Sequence, residues 1–200
     1  MTLDDALHPL GLRALGDCPD GADTITLGGP DEPRFWAIFT QSPEYKDGQP
    51  DPLARWSRRV LTAIAADIGA DPLFPFGGPP YAPFFTWAVK SGRCWASPIG
   101  FLVHDEAGLF ISFRGAFRQS GAAHKNRSTQ PCETCPKPCA TACPVGAFDD
   151  GYDVAACKTH IASDAGIDCR TKGCLARRAC PVGQGNRLPA QAAFHMEAFL

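Results

Sequence analysis

The segments CETCPKPCATACPVGAF (residues 132–148) and CRTKGCLARRACPVG (residues 169–183) hold seven of the ten cysteines in this 200-residue chain, and Cys157 lies between them. The first segment has the spacing C-x2-C-x3-C-x3-C-P. The tetrapeptide Cys-Pro-Val-Gly occurs in both segments, at residues 143–146 and 180–183. Grouped cysteines with a repeated Cys-Pro ending predict a chain that wraps its thiols around inorganic centres.

In the bacterial run C-x2-C-x2-C-x3-C-P, the fourth cysteine ligates the other [4Fe–4S] cluster. The spacing here is one residue longer between the second and third cysteines. Each group of three close cysteines is therefore expected to take its fourth ligand from the other segment. The ligands predicted for one cluster are Cys132, Cys135, Cys139 and Cys180. Those predicted for the second cluster are Cys143, Cys157, Cys169 and Cys174.

Two other uses of grouped cysteines stay open, namely a disulfide framework and zinc sites. Zinc sites usually present two separated cysteine pairs, whereas a four-cysteine run ending in Cys-Pro, followed by a second Cys-Pro, favours cluster chemistry. Cys18 and Cys94 lie outside this region, and we interpret both as ordinary thiols. The five histidines are dispersed, and none is predicted as a ligand, although His160 lies one turn after Cys157.

The composition, with 44% hydrophobic and 20% charged residues, is typical of a globular protein. The N-terminus has no basic flank or long apolar segment, and no stretch approaches the roughly 18 apolar residues of a membrane helix. We therefore expect a cytoplasmic protein without membrane association. Reducing conditions in the cytoplasm keep thiols available for metal.

The net charge of −2 is unevenly distributed, since residues 110–190 carry 11 Lys/Arg against 6 Asp/Glu and the remainder carries 8 against 15. The basic excess would offset the negative charge of two thiolate-bound clusters. This explanation competes with nucleic-acid binding, which the sequence does not favour. A redox partner protein is the expected partner.

The chain before Cys132 contains one clear amphipathic helix, with Asp51 as the predicted N-cap, Pro52 at the first position and Gly69 at the end. Strands are predicted at Thr24–Leu27 and at Arg34–Phe39, which reads RFWAIF. The proline- and aromatic-rich segment 72–85 is expected to be an ordered loop.

A β-hairpin is predicted from Phe101–Val103 and Leu109–Phe113, with Gly108 in the turn. A basic connector from Arg114 to Arg127 is expected to mark a domain boundary, and Asp153–Ala162 is predicted as the helix that carries Cys157. The predicted domains are therefore residues 1–127, residues 128–190, and a tail at 191–200 that packs on the core.

From the hairpin onwards the chain resembles the epoxyqueuosine reductase group of cobalamin-dependent, dicluster iron–sulfur proteins. The matching segments are GFLVHDEAGLFIS, CETCPKPCATACPVGAF, YDVAACKTHIAS and GCLARRACPVG. A weaker match, YKDGQPDPLARW, corresponds to the stretch that supplies a catalytic aspartate in that family, and the resemblance places this aspartate at Asp51. Pro52-Leu53 stands where the family has a tyrosine-histidine pair.

The resemblance implies an α+β protein, in which an N-terminal mixed α/β domain of the reductase type, with a mixed sheet, precedes a bacterial dicluster ferredoxin-like domain. The leading functional prediction is an electron-transfer protein with two [4Fe–4S] clusters. The alternative is a cobalamin- or flavin-dependent reductase whose clusters feed an N-terminal cofactor pocket and a small-molecule substrate. A redox sensor or an RNA-binding module that uses the basic connector is a third hypothesis.

Overall fold

The computed structural model describes residues 2–123, 128–184 and 188–200 and contains both helices and strands. The helices are α1 (Leu3–Leu7), α2 (Arg34–Phe39), α3 (Pro43–Lys46), α4 (Pro52–Ile68), α5 (Phe84–Lys90), α6 (Val154–Ala162), α7 (Ile167–Lys172), α8 (Leu175–Arg178) and α9 (Pro189–Phe199). The strands are β1 (Leu12–Asp20), β2 (Asp23–Pro30), β3 (Asp71–Leu73), β4 (Cys94–Ala96), β5 (Leu102–His104) and β6 (Gly115–Ser120). This mixture of helix and strand agrees with the α+β class.

A four-stranded sheet has the order β1-β2-β6-β3, and each of its strand pairs is antiparallel. The resemblance implied a mixed sheet, and this sheet is antiparallel instead. β1 and β2 are joined by a two-residue turn in which Gly21 has φ +68°. A turn this short can join two strands only if they are antiparallel. The strand predicted at Thr24–Leu27 lies within β2 and is confirmed.

Residues 115–120 of the predicted basic connector form β6, an interior strand that pairs with both β2 and β3. The connector interpretation is wrong for these residues, because Phe117 is fully buried and anchors the strand in the core. Arg118, a basic residue of this strand, forms a salt bridge with Asp20 at 2.8 Å. The connector residues His124, Lys125 and Arg127 lie outside the described residues.

Helix α4 runs to Gly69, whose φ of +67° ends the helix as predicted. Asp51 occupies the N-cap position as predicted, but it has φ 51° and ψ 46°, and among the described residues its side chain caps no backbone N–H of α4. An N-cap residue normally has an extended backbone that aims its side chain at the first turn. Here Arg55 stabilises this end of the helix by donating to the Pro50 carbonyl at 2.9 Å.

The segment Arg34–Phe39 is helix α2 and not the predicted strand. Its aromatic residues explain the difference, because Phe35 and Phe39 stack at 5.8 Å between ring centroids, a pairing that helical i,i+4 spacing allows. Both rings also contact Trp56 of α4 edge-on, at 5.6 and 5.7 Å. A short apolar run such as RFWAIF cannot be assigned to helix or strand from its periodicity alone.

The predicted hairpin is only half correct. Its first strand is β5, which pairs with β4, but the described residues Leu109–Phe113 are not a strand. Nδ1 of the fully buried His104 accepts the backbone N–H groups of Glu106 and Ala107 at 3.1 and 3.2 Å and tightens the turn. The chain then leaves the strand direction after Gly108, which has φ +59°.

The chain divides into two compact units. The first unit comprises Met1–Cys94 and Ser112–Ser128 and contains the four-stranded sheet and α4. The second unit comprises Trp95–Ile111 and Thr129–Leu200 and contains the eight grouped cysteines, with α9 packed on α7. Across the described ranges, no helix combines the length and apolar character that crossing a membrane requires.

Candidate metal centre

Cys132, Cys135, Cys139 and Cys180, here called the first thiol group, belong to the second unit. Cys139 and Cys180 are buried, and Cys132 and Cys135 are partly buried. The two buried thiols form part of an apolar core with Ile99, Val103 and Leu109. This core excludes water from one side of the first thiol group.

Neighbouring thiols contribute to the pKa shifts of two members of the first thiol group, Cys139 and Cys132. Burial raises the pKa of Cys139, and the neighbouring thiols Cys132, Cys180 and Cys135 raise it further. Burial, followed by Cys135 and Cys180, likewise raises the pKa of Cys132. Because repulsion between like charges decreases with distance, these cysteines share one neighbourhood, although Cys180 is remote in sequence.

The second thiol group consists of Cys143, Cys157, Cys169 and Cys174. Cys157 lies in α6, whose N-cap Asp153 accepts the N–H of Ala156 at 2.9 Å. Cys169 lies in α7, and Cys174 directly precedes α8. The predicted helix around Cys157 is thereby confirmed, and three short helical segments position three of the four thiols.

The members of the second thiol group are linked by a chain of electrostatic interactions. Burial is the main cause that raises the pKa of Cys169, with a smaller contribution from Cys143. Burial also raises the pKa of Cys174, with a smaller contribution from Cys169. The pKa of Tyr152 is raised by burial, by a hydrogen bond to Cys157 and by the charge of Cys174. Tyr152 therefore lies near both cysteines.

Backbone N–H groups point at several of these sulfurs. Lys137 N–H donates to Cys135 Sγ at 3.3 Å, and Ala147 N–H donates to Cys143 Sγ at 3.4 Å. The backbone N–H groups of Ala176 and Arg177 lower the pKa of Cys174, in opposition to burial. Such hydrogen bonds favour the thiolate and are among the factors that tune iron–sulfur clusters.

Both thiol groups supply only soft sulfur donors, which suit iron–sulfur clusters or zinc. Over residues 2–123, 128–184 and 188–200, no three His, Cys, Asp or Glu side chains are arranged so that they could hold a metal ion. A tetrahedral zinc site with Zn–S bonds of about 2.3 Å requires its sulfurs to converge on one point. A [4Fe–4S] cluster likewise binds four cysteine thiolates, so the donor chemistry of both thiol groups fits either centre.

Asp51 lies in the first unit and lines a surface groove of about 560 Å³, together with Arg55, Arg58, Arg59 and Phe76. Arg55 is fixed by two hydrogen bonds to Asp47, at 2.7 and 2.8 Å. The Arg58 guanidinium lies 4.9 Å from the ring centroid of Phe74 and 5.4 Å from that of Phe76. The described lining of this groove includes none of the eight grouped cysteines.

Sequence reasoning did not identify Arg177 and Tyr152 as parts of the site. Arg177 follows Cys174 by three residues, a spacing that could have indicated that the two side chains are neighbours at the start of α8. Its other partner, the carbonyl of Leu109, is remote in sequence and follows only from the tertiary structure.

No protein-family model, curated protein or solved structure matches this chain. The resemblance to the reductase family stays a prediction that rests on the quoted motifs.

Proposed function

We propose that this protein is a cytoplasmic iron–sulfur electron-transfer protein in which the second unit holds two [4Fe–4S] clusters in a ferredoxin-like arrangement. One observation carries the proposal. Cys180 and Cys135 contribute to the pKa shifts of Cys132 and Cys139, and Cys143 contributes to that of Cys169, in keeping with the two ligand sets that the spacing predicts. Cys180 supports it most strongly, since it acts on Cys132 and Cys139 across a long stretch of sequence.

The first thiol group would hold one cluster and the second thiol group the other. A bound [4Fe–4S] cluster supplies reversible one-electron transfer at a potential within about −700 to +450 mV. The protein contributes thiolate ligands, backbone N–H donors to sulfur and an apolar core that limits access of water. A redox protein is the proposed partner, and reducing cytoplasmic conditions would keep the thiols available for cluster assembly.

An anaerobic reductive titration tests this function. The purified protein should take up about two electrons per chain, one for each cluster, and should return them to a one-electron acceptor without an organic cofactor. Protein that contains iron but takes up no electrons would contradict a role in electron transfer.

The groove around Asp51 favours a second candidate function, a reductase whose first unit binds cobalamin or flavin. Asp51 has a left-handed backbone conformation that a non-glycine residue rarely adopts, and such strain is frequent at functional sites. Arg58 lines the same groove as this carboxylate. Spectroscopic titration with cobalamin and with flavin tests this candidate, with Asp51→Ala and Arg58→Ala as variants, and absence of binding to the unaltered protein would remove it.

A further inference from the structure

Three exposed apolar residues, Val145, Tyr152 and Val154, lie close in sequence to members of the second thiol group and are here called the apolar patch. Their exposed fractions are 42%, 38% and 43%. Val145 follows Cys143 by two residues, a span of at most about 7 Å. Val154 precedes Cys157 by three residues of α6, a rise of about 4.5 Å. A protein that covers this patch would therefore lie close to two predicted ligands.

Local contacts join the two segments that carry the apolar patch. The Asp153 N–H, at the start of α6, donates to the Ala147 carbonyl at 2.9 Å. The Tyr152 ring stacks on Phe148 with 5.0 Å between the ring centroids. These contacts hold the turn at residues 143–148 beside the first turn of α6. Exposed apolar residues held together in this way, with polar residues at their rim, mark interaction sites more often than scattered ones.

The rim of the apolar patch is acidic. Asp149, Asp150 and Asp153 lie between its members in the sequence, and all three are exposed. The Asp149 carboxylate lies against Gly146, the residue after Val145, because a Cβ atom on this glycine would be 2.5 Å from Asp149 Oδ2. Charges across a protein interface are complementary, so this rim favours a positively charged partner.

The net charge of the second unit has the same sign. Residues 112–128, which hold four of the basic side chains counted over residues 110–190, belong to the first unit. The second unit carries 7 Lys/Arg against 9 Asp/Glu, a net charge of −2. Two thiolate-bound clusters would add further negative charge. The whole unit, and not only the rim of the patch, would therefore attract a basic protein.

The segment at residues 131–140, which carries three members of the first thiol group, has a different composition. It contains no Val, Leu, Ile or Met and no aromatic residue. Its exposed charged residues, Glu133 and Lys137, have opposite signs. A basic partner with an apolar contact surface would therefore gain less from this segment than from the apolar patch.

We propose that the apolar patch and its acidic rim are the docking surface for a small redox protein whose own surface has an apolar centre flanked by Lys and Arg. This inference rests on the proposed function and adds the chemistry of the partner. Docking there lets one electron pass from the reduced cluster of the second thiol group to the oxidised redox centre of the partner. The cluster is thereby oxidised by one electron and the partner reduced by one. A donor protein of lower potential supplies the next electron.

Cytochrome c, a small basic redox protein, serves as the probe of this surface. Calorimetric titration of the iron-loaded protein at low ionic strength should show binding, which added salt weakens. The double variant Asp149→Asn, Asp150→Asn should raise the Kd about tenfold, since each exposed charge pair contributes a factor of about three. The double variant Glu133→Gln, Asp164→Asn is the matched control, because it also removes two exposed carboxylates of the second unit. It should change the Kd by less than about twofold.

The apolar part of the surface is tested separately. Val154→Ser should raise the Kd about threefold, because less apolar surface is then buried in the complex. Val89→Ser is the control, since Val89 of α5 is also a helical valine with 41% exposure, and its Kd should stay unchanged. Carbodiimide cross-linking of the unaltered complex, which joins carboxylates to lysine amines, should yield cross-links at Asp149 or Asp150.

Three results would overturn the proposal: no binding of cytochrome c to the iron-loaded protein, equal losses of affinity in the two double variants, or cross-links confined to other carboxylates. If the variant at Asp149 and Asp150 loses iron or does not fold, the cross-links of the unaltered protein decide. Absence of four-iron clusters from the unaltered protein would instead refute the proposed function itself, so the two failures are distinguishable.

Discussion

Gly108 lies directly against the carbonyl oxygen of Val182, the atom nearest to a Cβ placed on this glycine, and that Cβ would be 3.1 Å from the Cys180 sulfur. The same Cβ would be 3.0 Å from the carbonyl carbon of Val182. Gly108 also has φ +59°, a conformation that costs other residues about 1–2 kcal/mol. The tight turn after β5 thus leaves room for the segment that carries Cys180.

Gly108→Ala should therefore destabilise the protein and disturb the first thiol group. Gly100→Ala is a matched control, because Gly100 has φ +77° and no described atom would lie within 4 Å of its added Cβ. Urea unfolding of the iron-loaded variants should show a loss at least about 1 kcal/mol larger for Gly108→Ala, since only this change adds a steric clash. Equal losses would mean that the close approach of Gly108 to Val182 and Cys180 contributes nothing to stability.

Cys180→Ser should remove one cluster and retain the other. We expect iron to fall from about eight to about four atoms per chain, because the first thiol group would lose its fourth ligand. Cys94→Ser is the control: Cys94 is also buried but belongs to neither thiol group, so its iron content should stay unchanged. Loss of the cluster held by the second thiol group would contradict the assignment of Cys180.

Asp51→Gly should not destabilise the first unit. Glycine adopts a positive φ without strain, so we expect a gain of up to about 1 kcal/mol in the free energy of unfolding. Ser42→Ala provides the contrast, because the Ser42 hydroxyl caps α3 by accepting the Tyr45 N–H at 3.3 Å, and its loss should cost about 1 kcal/mol. A marked loss of stability in Asp51→Gly, measured by urea unfolding, would contradict this prediction and show that the Asp51 carboxylate stabilises the fold.

Cys18 should make the stability of the protein decrease at alkaline pH. Burial raises the pKa of this thiol to about 11, whereas an unfolded cysteine ionises near pH 8.5, so between these values the folded state holds more protons. The stabilising effect is complete below about pH 8.5 and is lost as the pH rises towards 11. Between pH 8.5 and 10, the unaltered protein should lose about 1.5 kcal/mol more than Cys18→Ala. Parallel pH profiles would show that Cys18 ionises normally.

The sequence predicted those features that depend on local chemistry. Pro52 and Gly69 mark the two ends of α4, and the apolar residues between them repeat at helical spacing. The cysteine spacing likewise predicted two ligand sets, which stay a prediction, and the remote Cys180 contributes to the pKa shift of Cys139. The ends of α4 were predictable because residue type and spacing alone constrain a helix.

Features set by tertiary contacts were not predictable in this way. Phe35 and Phe39 favour a helix only because Trp56 of α4 packs against both rings. The described residues Leu109–Phe113 do not form the predicted second hairpin strand, and the carbonyl of Leu109 accepts a hydrogen bond from Arg177 in α8. Long-range partners of this kind leave no periodic pattern in the sequence.

The metal content of anaerobically purified protein tests the central claim most directly. Iron and acid-labile sulfide should each be present at about eight atoms per chain, as two [4Fe–4S] clusters require, and zinc should be nearly absent. About two zinc atoms per chain with little iron or sulfide would contradict the account, because the two thiol groups would then be structural zinc sites.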